Sequence, residues 1–195
     1  MKYEPGEKEM FIQTNRLTIR KAKESDSSLI WSLWTDPRVM ADVGYPEGLR
    51  INEVEIKERI GREGREKTLL ESLLIVDLRN EKISIGQCFM LRPNDKGVSS
   101  TDIKLLPKYW GRGYGLEVKR GLLDTLFTST ECLAVEATPN VNNLASIRLQ
   151  ESVGGIRVGE EIHEFPESMA DFTRPVHCYI YRVNRPDWEA GVNTG

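Results

Sequence analysis

The chain has 195 residues, 39% of them hydrophobic, and its 27 Lys and Arg against 30 Asp and Glu leave a formal charge of −3. That length and apolar share suit one ordinary domain with a real core. The mild acidity excludes the whole-protein basic footprint of a nucleic-acid or anionic-membrane binder, and no apolar run approaches the ~20 residues of a spanning helix.

The opening MKYEPGEKEMF has no apolar core and no small-residue cleavage pattern, so it reads as no secretory leader. Residues 1–13 are expected to be an N-terminal arm, residues 14–183 one domain, and residues 184–195 a loosely held tail. RLTIR (16–20) alternates like a strand. Ser25 and Asp26 can cap a helix through SSLIWSLWTD, with Pro37 after its stop. ADVGYPEGLR (41–50) reads as a loop and INEVEIKERIGREG (51–64) as a charged helix. Strands are expected at 72–78 and 83–91, joined by RNEK, and at 100–106. A helix over 115–127 buries Leu116, Leu122, Leu123, Leu126 and Phe127, with Gly121 a weak spot. CLAVEATP (132–139) has the near-continuous apolar run of an inner strand. Asn caps and a glycine stop bracket a helix over 142–155, and strands follow at 157–165 and 176–183.

The resulting order is β-α-α-β-β-β-α-β-α-β-β, a single α+β domain whose one parallel crossover is the strand–helix–strand passage at 100–139. Cys88, Cys132 and Cys178 are odd in number and lack metal-ligand spacing, so they are expected as buried small hydrophobes in a reducing cytoplasm. His163 and His177 likewise have no partner spacing for a metal.

YWGRGYGLE (109–117) places Gly111, Gly113 and Gly115 directly before a helix. Glycines there allow left-handed backbone and bare amides, and the helix dipole adds a positive end, so the loop can hold an anion, with Arg112 as a further partner. The other reading is a glycine-rich turn with an exposed arginine. The spacing is neither the dinucleotide G-x-G-x-x-G nor the Walker G-x-x-x-x-G-K-[ST].

WGRGYG resembles the pyrophosphate loop of the GNAT superfamily of acyl-CoA-dependent N-acyltransferases, [QR]-x-x-G-x-[GA]: Trp110, Gly113 and Gly115 stand at the marked places, with Trp110 replacing Gln or Arg. That replacement is familiar from the branch containing ribosomal-protein N-terminal (alanine/serine) acetyltransferases. TNRLTIRKAKESD (14–26), TDPRVM (35–40), PKYWGRGYGLE (107–117) and NLASIRLQESVGG (143–155) also resemble that branch, in its element order. The likeness runs from about Thr14 to Arg182. It implies a GNAT-like fold, a mixed central sheet of about six to seven strands flanked by about four helices.

It also implies acetyl-CoA as co-substrate, without a metal, lying in a wedge where the family's fourth and fifth strands splay. By position, the backbone of Lys104, Leu105 and Leu106 would pair with the pantetheine arm and hold the oxyanion. Residues Trp110, Gly111, Arg112, Gly113, Tyr114, Gly115 and Leu116 would hold the pyrophosphate. Asn143 would lie beside the pantetheine, and Ser146 would be the acid for the departing thiolate; otherwise these two are a helix cap and an ordinary helix polar. The tyrosine common one turn later in relatives is Gln150 here. The strand glutamate of relatives matches Ser100, so Asp102, two residues on, is the local candidate base or else a surface carboxylate.

The acceptor is expected to be a primary amine, either a small molecule or a protein N-terminus. Selection should rest on the loops Met40 to Arg50 and His163 to Pro175, where Tyr45, Glu47, Glu164, Glu167 and Asp171 could form an acidic rim. The competing reading is a non-catalytic acyl-CoA-binding or regulatory module on the same fold. A monomer or a homodimer is expected, with an exposed strand edge at 176–183 suited to the latter.

Overall fold

Alternation of apolar and polar residues builds one face of the sheet, and helical spacing builds its covers. A computed structural model describes residues 11–63 and 68–192. Its eight strands are β1 (Phe11–Gln13), β2 (Leu17–Lys21), β3 (Leu74–Leu78), β4 (Ile83–Met90), β5 (Val98–Leu105), β6 (Ala134–Ala137), β7 (Ile156–His163) and β8 (Val176–Asn184). They form a single sheet in the order β1-β2-β3-β4-β5-β6-β8-β7. Every pairing is antiparallel except β5 with β6, which sits at the expected crossover. The helices are α1 (Ser27–Trp34), α2 (Pro37–Met40), α3 (Glu53–Glu63), α4 (Tyr114–Ser129), α5 (Leu144–Glu151) and α6 (Arg185–Val192).

Two cores lie on opposite faces. Ile30, Leu33, Trp34, Ile56 and Ile60 of α1 and α3 bury Ile75 of β3 on one side. On the other, Val118, Leu122, Leu123 and Leu126 of α4 pack on Leu17, Ile19, Leu74, Val76, Ile85 and Met90. Each such side chain contributes about 1.5–3 kcal/mol of burial, which fixes the sheet between its two helix layers. All three cysteines are buried and unpaired. Among the described residues no helix is long and apolar enough to cross a membrane.

Several expectations change. The sheet has eight strands and six α-helices flank it, rather than six to seven and four. Residues 11–13, assigned to the arm, are β1, paired through Phe11↔Arg20 and Ile12↔Ile19; residues 1–10 lie outside the described set. Gly121 is where this hairpin meets α4, since a Cβ there would stand 3.2 Å from a Thr14 carbon. Pro37 follows the stop of α1 at Trp34, as expected, and also opens α2, with Asp36 accepting the Arg38 N–H as its cap.

Of the tail, residues 184–192 are not loose: they turn into α6, where Trp188 lies against Phe127 and donates its indole N–H to Asp124 at 2.9 Å. Nor is 176–183 a sheet edge. β7 folds back on β8 and covers it, leaving β7 outermost with Ile156, Val158 and Ile162 exposed.

Candidate active site

The sheet opens at one place. β5 and β6 run side by side only at Val98↔Ala134, Ser99↔Val135 and Ser100↔Glu136. Beyond Ser100, β5 keeps pairing with β4 as far as Gly86↔Leu105. The chain after β6 follows β8 instead: Tyr179 donates its N–H to the Pro139 carbonyl at 3.0 Å and Val141 donates to His177 at 2.9 Å. The result is a wedge between the C-terminal ends of two parallel strands, with the glycine loop at the end of β5 and the Asn143 turn beyond β6.

The edge of β5 that lines this wedge follows from the ladder. Leu91 donates to the Ser100 carbonyl and Leu106 to the Ile85 carbonyl, both at 2.9 Å, so even-numbered residues turn their amides toward β4. Thr101, Ile103 and Leu105 therefore face the open side. Of the three backbone positions expected to contact the pantetheine, Lys104 and Leu106 are turned inward and only Leu105 is turned outward; Ile103 joins it. The Leu105 carbonyl accepts the Trp110 indole N–H at 2.7 Å, a contact that no spacing argument foretold.

Gly111 and Gly113 have φ of 72° and 78°, the left-handed region that disfavours a side chain. Gly113 is the N-cap of α4 and has no side chain to cap it, so the first amides of the helix, Tyr114, Gly115 and Leu116, have no side-chain partner among the described residues. Arg112 is exposed, and Arg16 holds its carbonyl at 3.1 Å. The loop is clamped from behind by Glu117, whose carboxylate accepts from the Thr14 hydroxyl, the Arg16 N–H and Arg16 Nε, each at 2.6 Å. Burial raises the Glu117 pKa, but these three donors outweigh it and hold the carboxyl below its ordinary value.

Across the wedge, Asn143 is the N-cap of α5: its Oδ1 accepts the Ser146 N–H at 2.9 Å. The Ser146 hydroxyl is half-buried and has no protein partner among the described residues, while Gln150 is buried. Asp102 and Lys104 lie two apart on β5, on one face, and form an ion pair. Beside Ser100 in the parallel register stands Glu136, paired with Arg182 of β8 through Nε at 3.0 Å. No group of three or more His, Cys, Asp or Glu among the described residues is placed to hold a metal ion.

One charged group inside the core escaped the sequence reading. Lys119 of α4 is 1% exposed, and its ammonium donates to Thr101 Oγ1 of β5 at 2.8 Å. Burial pushes its pKa down to about 8, partly opposed by Asp102. Its helical phase was the available signal, since residue 119 lies three, four and seven positions before Leu122, Leu123 and Leu126.

The two loops expected to select the acceptor meet each other. Arg174 donates its N–H to the Gly44 carbonyl at 2.8 Å, and the Tyr45 and Phe165 rings meet edge-on at 5.4 Å. Gly44 has φ 95°, and a Cβ there would stand 2.5 Å or less from the Phe165 ring. His163 lies edge-on to Phe165 at 4.8 Å. Glu47 faces Arg50 at 3.6 Å; Glu164, Glu167 and Asp171 are exposed.

A splayed parallel pair with a glycine loop leading into a helix at its mouth is the arrangement of an acyl-CoA acyltransferase. The sequence model of the acetyltransferase (GNAT) domain matches residues 16–156, and the chain belongs to this family of acyl-CoA-dependent N-acetyltransferases. It is 26% identical over 153 residues to the uncharacterized N-acetyltransferase p20 of Bacillus licheniformis, covering 73% of this chain and 80% of that one. A GNAT-family acetyltransferase structure from Bacillus anthracis superposes with a TM-score of 0.75 at 24% identity, over 91% of this chain and 99% of that one. Spermidine N-acetyltransferase from Vibrio cholerae, in complex with CoA and spermine, superposes with a TM-score of 0.72 at 19% identity, over 89% and 98%. These superpositions show a shared fold.

Proposed function

We propose that this protein moves an acetyl group from acetyl-CoA to a primary amine by direct attack in a ternary complex. The observation that carries the reading is the divergence of β5 from β6 beyond Ser100, with the amides of Thr101, Ile103 and Leu105 turned to the gap. Those groups would pair with the pantetheine amides as an added strand would, and their N–H groups would receive the thioester oxygen as it becomes an oxyanion. The amides from Gly111 to Leu116 would take the pyrophosphate, with Arg112 beside them. When bound, the co-substrate supplies the activated acyl group.

Ser146, with its hydroxyl unengaged, would return a proton to the leaving thiolate, and Asn143 would hold the turn at the pantetheine's other flank. Asp102 is the nearest candidate to receive the amine's proton, although Lys104 engages it. A base held in this way suits an α-amine or low-pKa small amine, already partly neutral at pH 7, better than a lysine-like amine of pKa about 10.4. An acyl-cysteine route is disfavoured, because burial raises the thiol pKa of Cys88, Cys132 and Cys178. A small-molecule amine and a protein N-terminus both fit, and the spermine in the Vibrio cholerae complex, with its lysine-like amines, makes polyamines the counter-case to screen beside them. Three buried free thiols fit a reducing cytoplasm.

The test is thermal unfolding with acetyl-CoA, CoA, NAD and ATP at equal concentration, followed by a thiol-release screen over polyamines, small amines and peptides with free N-termini. A midpoint raised by CoA compounds alone, with thiol release for one amine class, supports the reading. Stabilisation by NAD or ATP alone would falsify it. CoA binding without turnover on any amine moves the protein to the non-catalytic module.

A further inference from the structure

Lys119 is a costly residue where it stands. Its neighbours along α4, Val118, Leu122 and Leu123, are fully buried in the apolar core, and an ammonium placed among them loses its hydration. An ammonium has three N–H donors, and Thr101 Oγ1 is the acceptor the structure gives it, at 2.8 Å. Thr101 is the first residue of β5 beyond the last parallel pair, Ser100↔Glu136, so the charge sits behind the apex of the wedge. The backbone of that same Thr101 faces the open side.

We propose that Lys119 is a positioning residue for the acyl carbonyl: its buried ammonium, anchored on Thr101 where β5 leaves β6, supplies the positive field in which the thioester oxygen is held against the open edge of β5. The proposal rests on the acyltransferase reading above. A fixed charge in a poorly solvated place acts more strongly on a developing oxyanion than the same charge in water, and it needs no reorganisation during the reaction. Lys119 touches the oxygen through the strand and not directly, so its effect is on polarisation of the carbonyl.

The surrounding charges leave this role open. Asp102 on β5 is the charge that acts on Lys119, and it is itself paired with Lys104. β1 brings no ionisable side chain. On β2, Arg20 is engaged by Asp26 and Asp77 and Lys21 is part-exposed. On α5, Arg148 is exposed and Glu151 takes the Tyr181 hydroxyl. Cys88 of β4 is a fully buried thiol whose pKa burial raises. With its own pKa at about 8, Lys119 is mostly charged at neutral pH and loses its charge as pH rises through that value.

The experiment needs no acceptor. Acetyl-CoA carrying carbon-13 at the thioester carbonyl is bound to the full chain, and its stretching frequency is read by isotope-edited infrared difference spectroscopy from pH 6.5 to 9.5. In the wild type the bound carbonyl should absorb below free acetyl-CoA, and that downshift should fade above pH about 8. In Lys119→Met the downshift and its pH dependence should be lost, while affinity for CoA, which has no acyl carbonyl, changes less than about twofold. Thr101→Val, which removes the anchor and keeps the lysine, should lose part of the downshift. Unchanged spectra in Lys119→Met with CoA binding intact overturn the role of Lys119 and leave the acyltransferase reading standing. If Lys119→Met does not fold, unchanged spectra in Thr101→Val overturn it equally. Failure of the wild type to bind either CoA compound overturns both.

Discussion

Trp110 donates its indole N–H to the Leu105 carbonyl at 2.7 Å, tying the glycine loop to the last residue of the strand that lines the wedge. The bond sets where the loop begins relative to the strand, and so the separation between a pantetheine site and a pyrophosphate site. Trp110→Phe keeps the ring and removes the donor. A neutral hydrogen bond is worth about 0.5–1.5 kcal/mol, so CoA affinity should fall roughly 2–10-fold with little change in melting temperature. Calorimetric titration of wild type and variant with CoA checks this; equal affinities would remove the bond from any role in binding.

Gly113 sits at φ 78° as the cap of α4, with only an Arg16 nitrogen 3.5 Å from where a Cβ would be. The cost of Gly113→Ala is therefore backbone strain rather than collision, roughly 1–2 kcal/mol. Chemical denaturation should show that loss, and CoA binding should weaken further because the methyl group enters the anion loop. A stable variant with full affinity would show that bare backbone is not needed there.

Asn143 and Ser146 separate by kind of measurement. Because the Asn143 side chain caps α5, Asn143→Ala should cost about 1 kcal/mol of stability. Ser146→Ala removes no bond within the protein and should leave stability within about 0.5 kcal/mol. Its effect on kcat should be less than about 10-fold at pH 8, since a thiol of pKa near ~8.5 leaves readily there, and larger at pH 6.5. A pH-independent ratio of the two rates would exclude Ser146 as the proton donor.

Glu117 makes stability depend on acid. Its folded pKa lies below the ordinary 4.5, so its contribution is complete above that value and is lost as pH falls through the lower folded one. The Arg16 partner is 43% exposed, which limits the net contribution to about 1 kcal/mol. Glu117→Gln should therefore be less stable than wild type by that amount at pH 7, with the gap narrowing at an acid pH below 4.5. Denaturant titrations at both pH values test the sign.

Lys119→Met should gain stability while losing carbonyl polarisation. Replacing a buried charge with an apolar side chain of similar length commonly stabilises by about 1–2 kcal/mol. The folded pKa of about 8 lies below the ordinary 10.5, so the unfolded wild type binds the extra proton between those values and its stability rises with pH across that range. The advantage of the variant should be full below pH 8 and shrink toward pH 10.5. A variant less stable than wild type at pH 7 would mean the lysine is held by more than Thr101.

Local chemistry alone determined most of the elements and the place of the loop. Glycines at alternate positions before Leu116, the cap at Asn143 and the alternation of RLTIR act over a few residues, so they are legible wherever the chain is read. The resemblance extended this to the family, and the matching family model bears that out. Pairing and burial were decided by the tertiary structure. Phe11–Gln13 is too short to register as a strand and becomes one only because β2 offers an edge and Gly121 leaves room beside it. The 176–183 segment looked like an outer strand until β7 turned back over it. Arg185–Val192 is a helix because Trp188 finds Phe127 and Asp124. Which amides of β5 face the wedge depends on the register with β4, a pairing between residues far apart in the chain. Helical phase sets Lys119 on the apolar face of α4, but only the packing of α4 on β5 puts it under Thr101, at the head of the open strand.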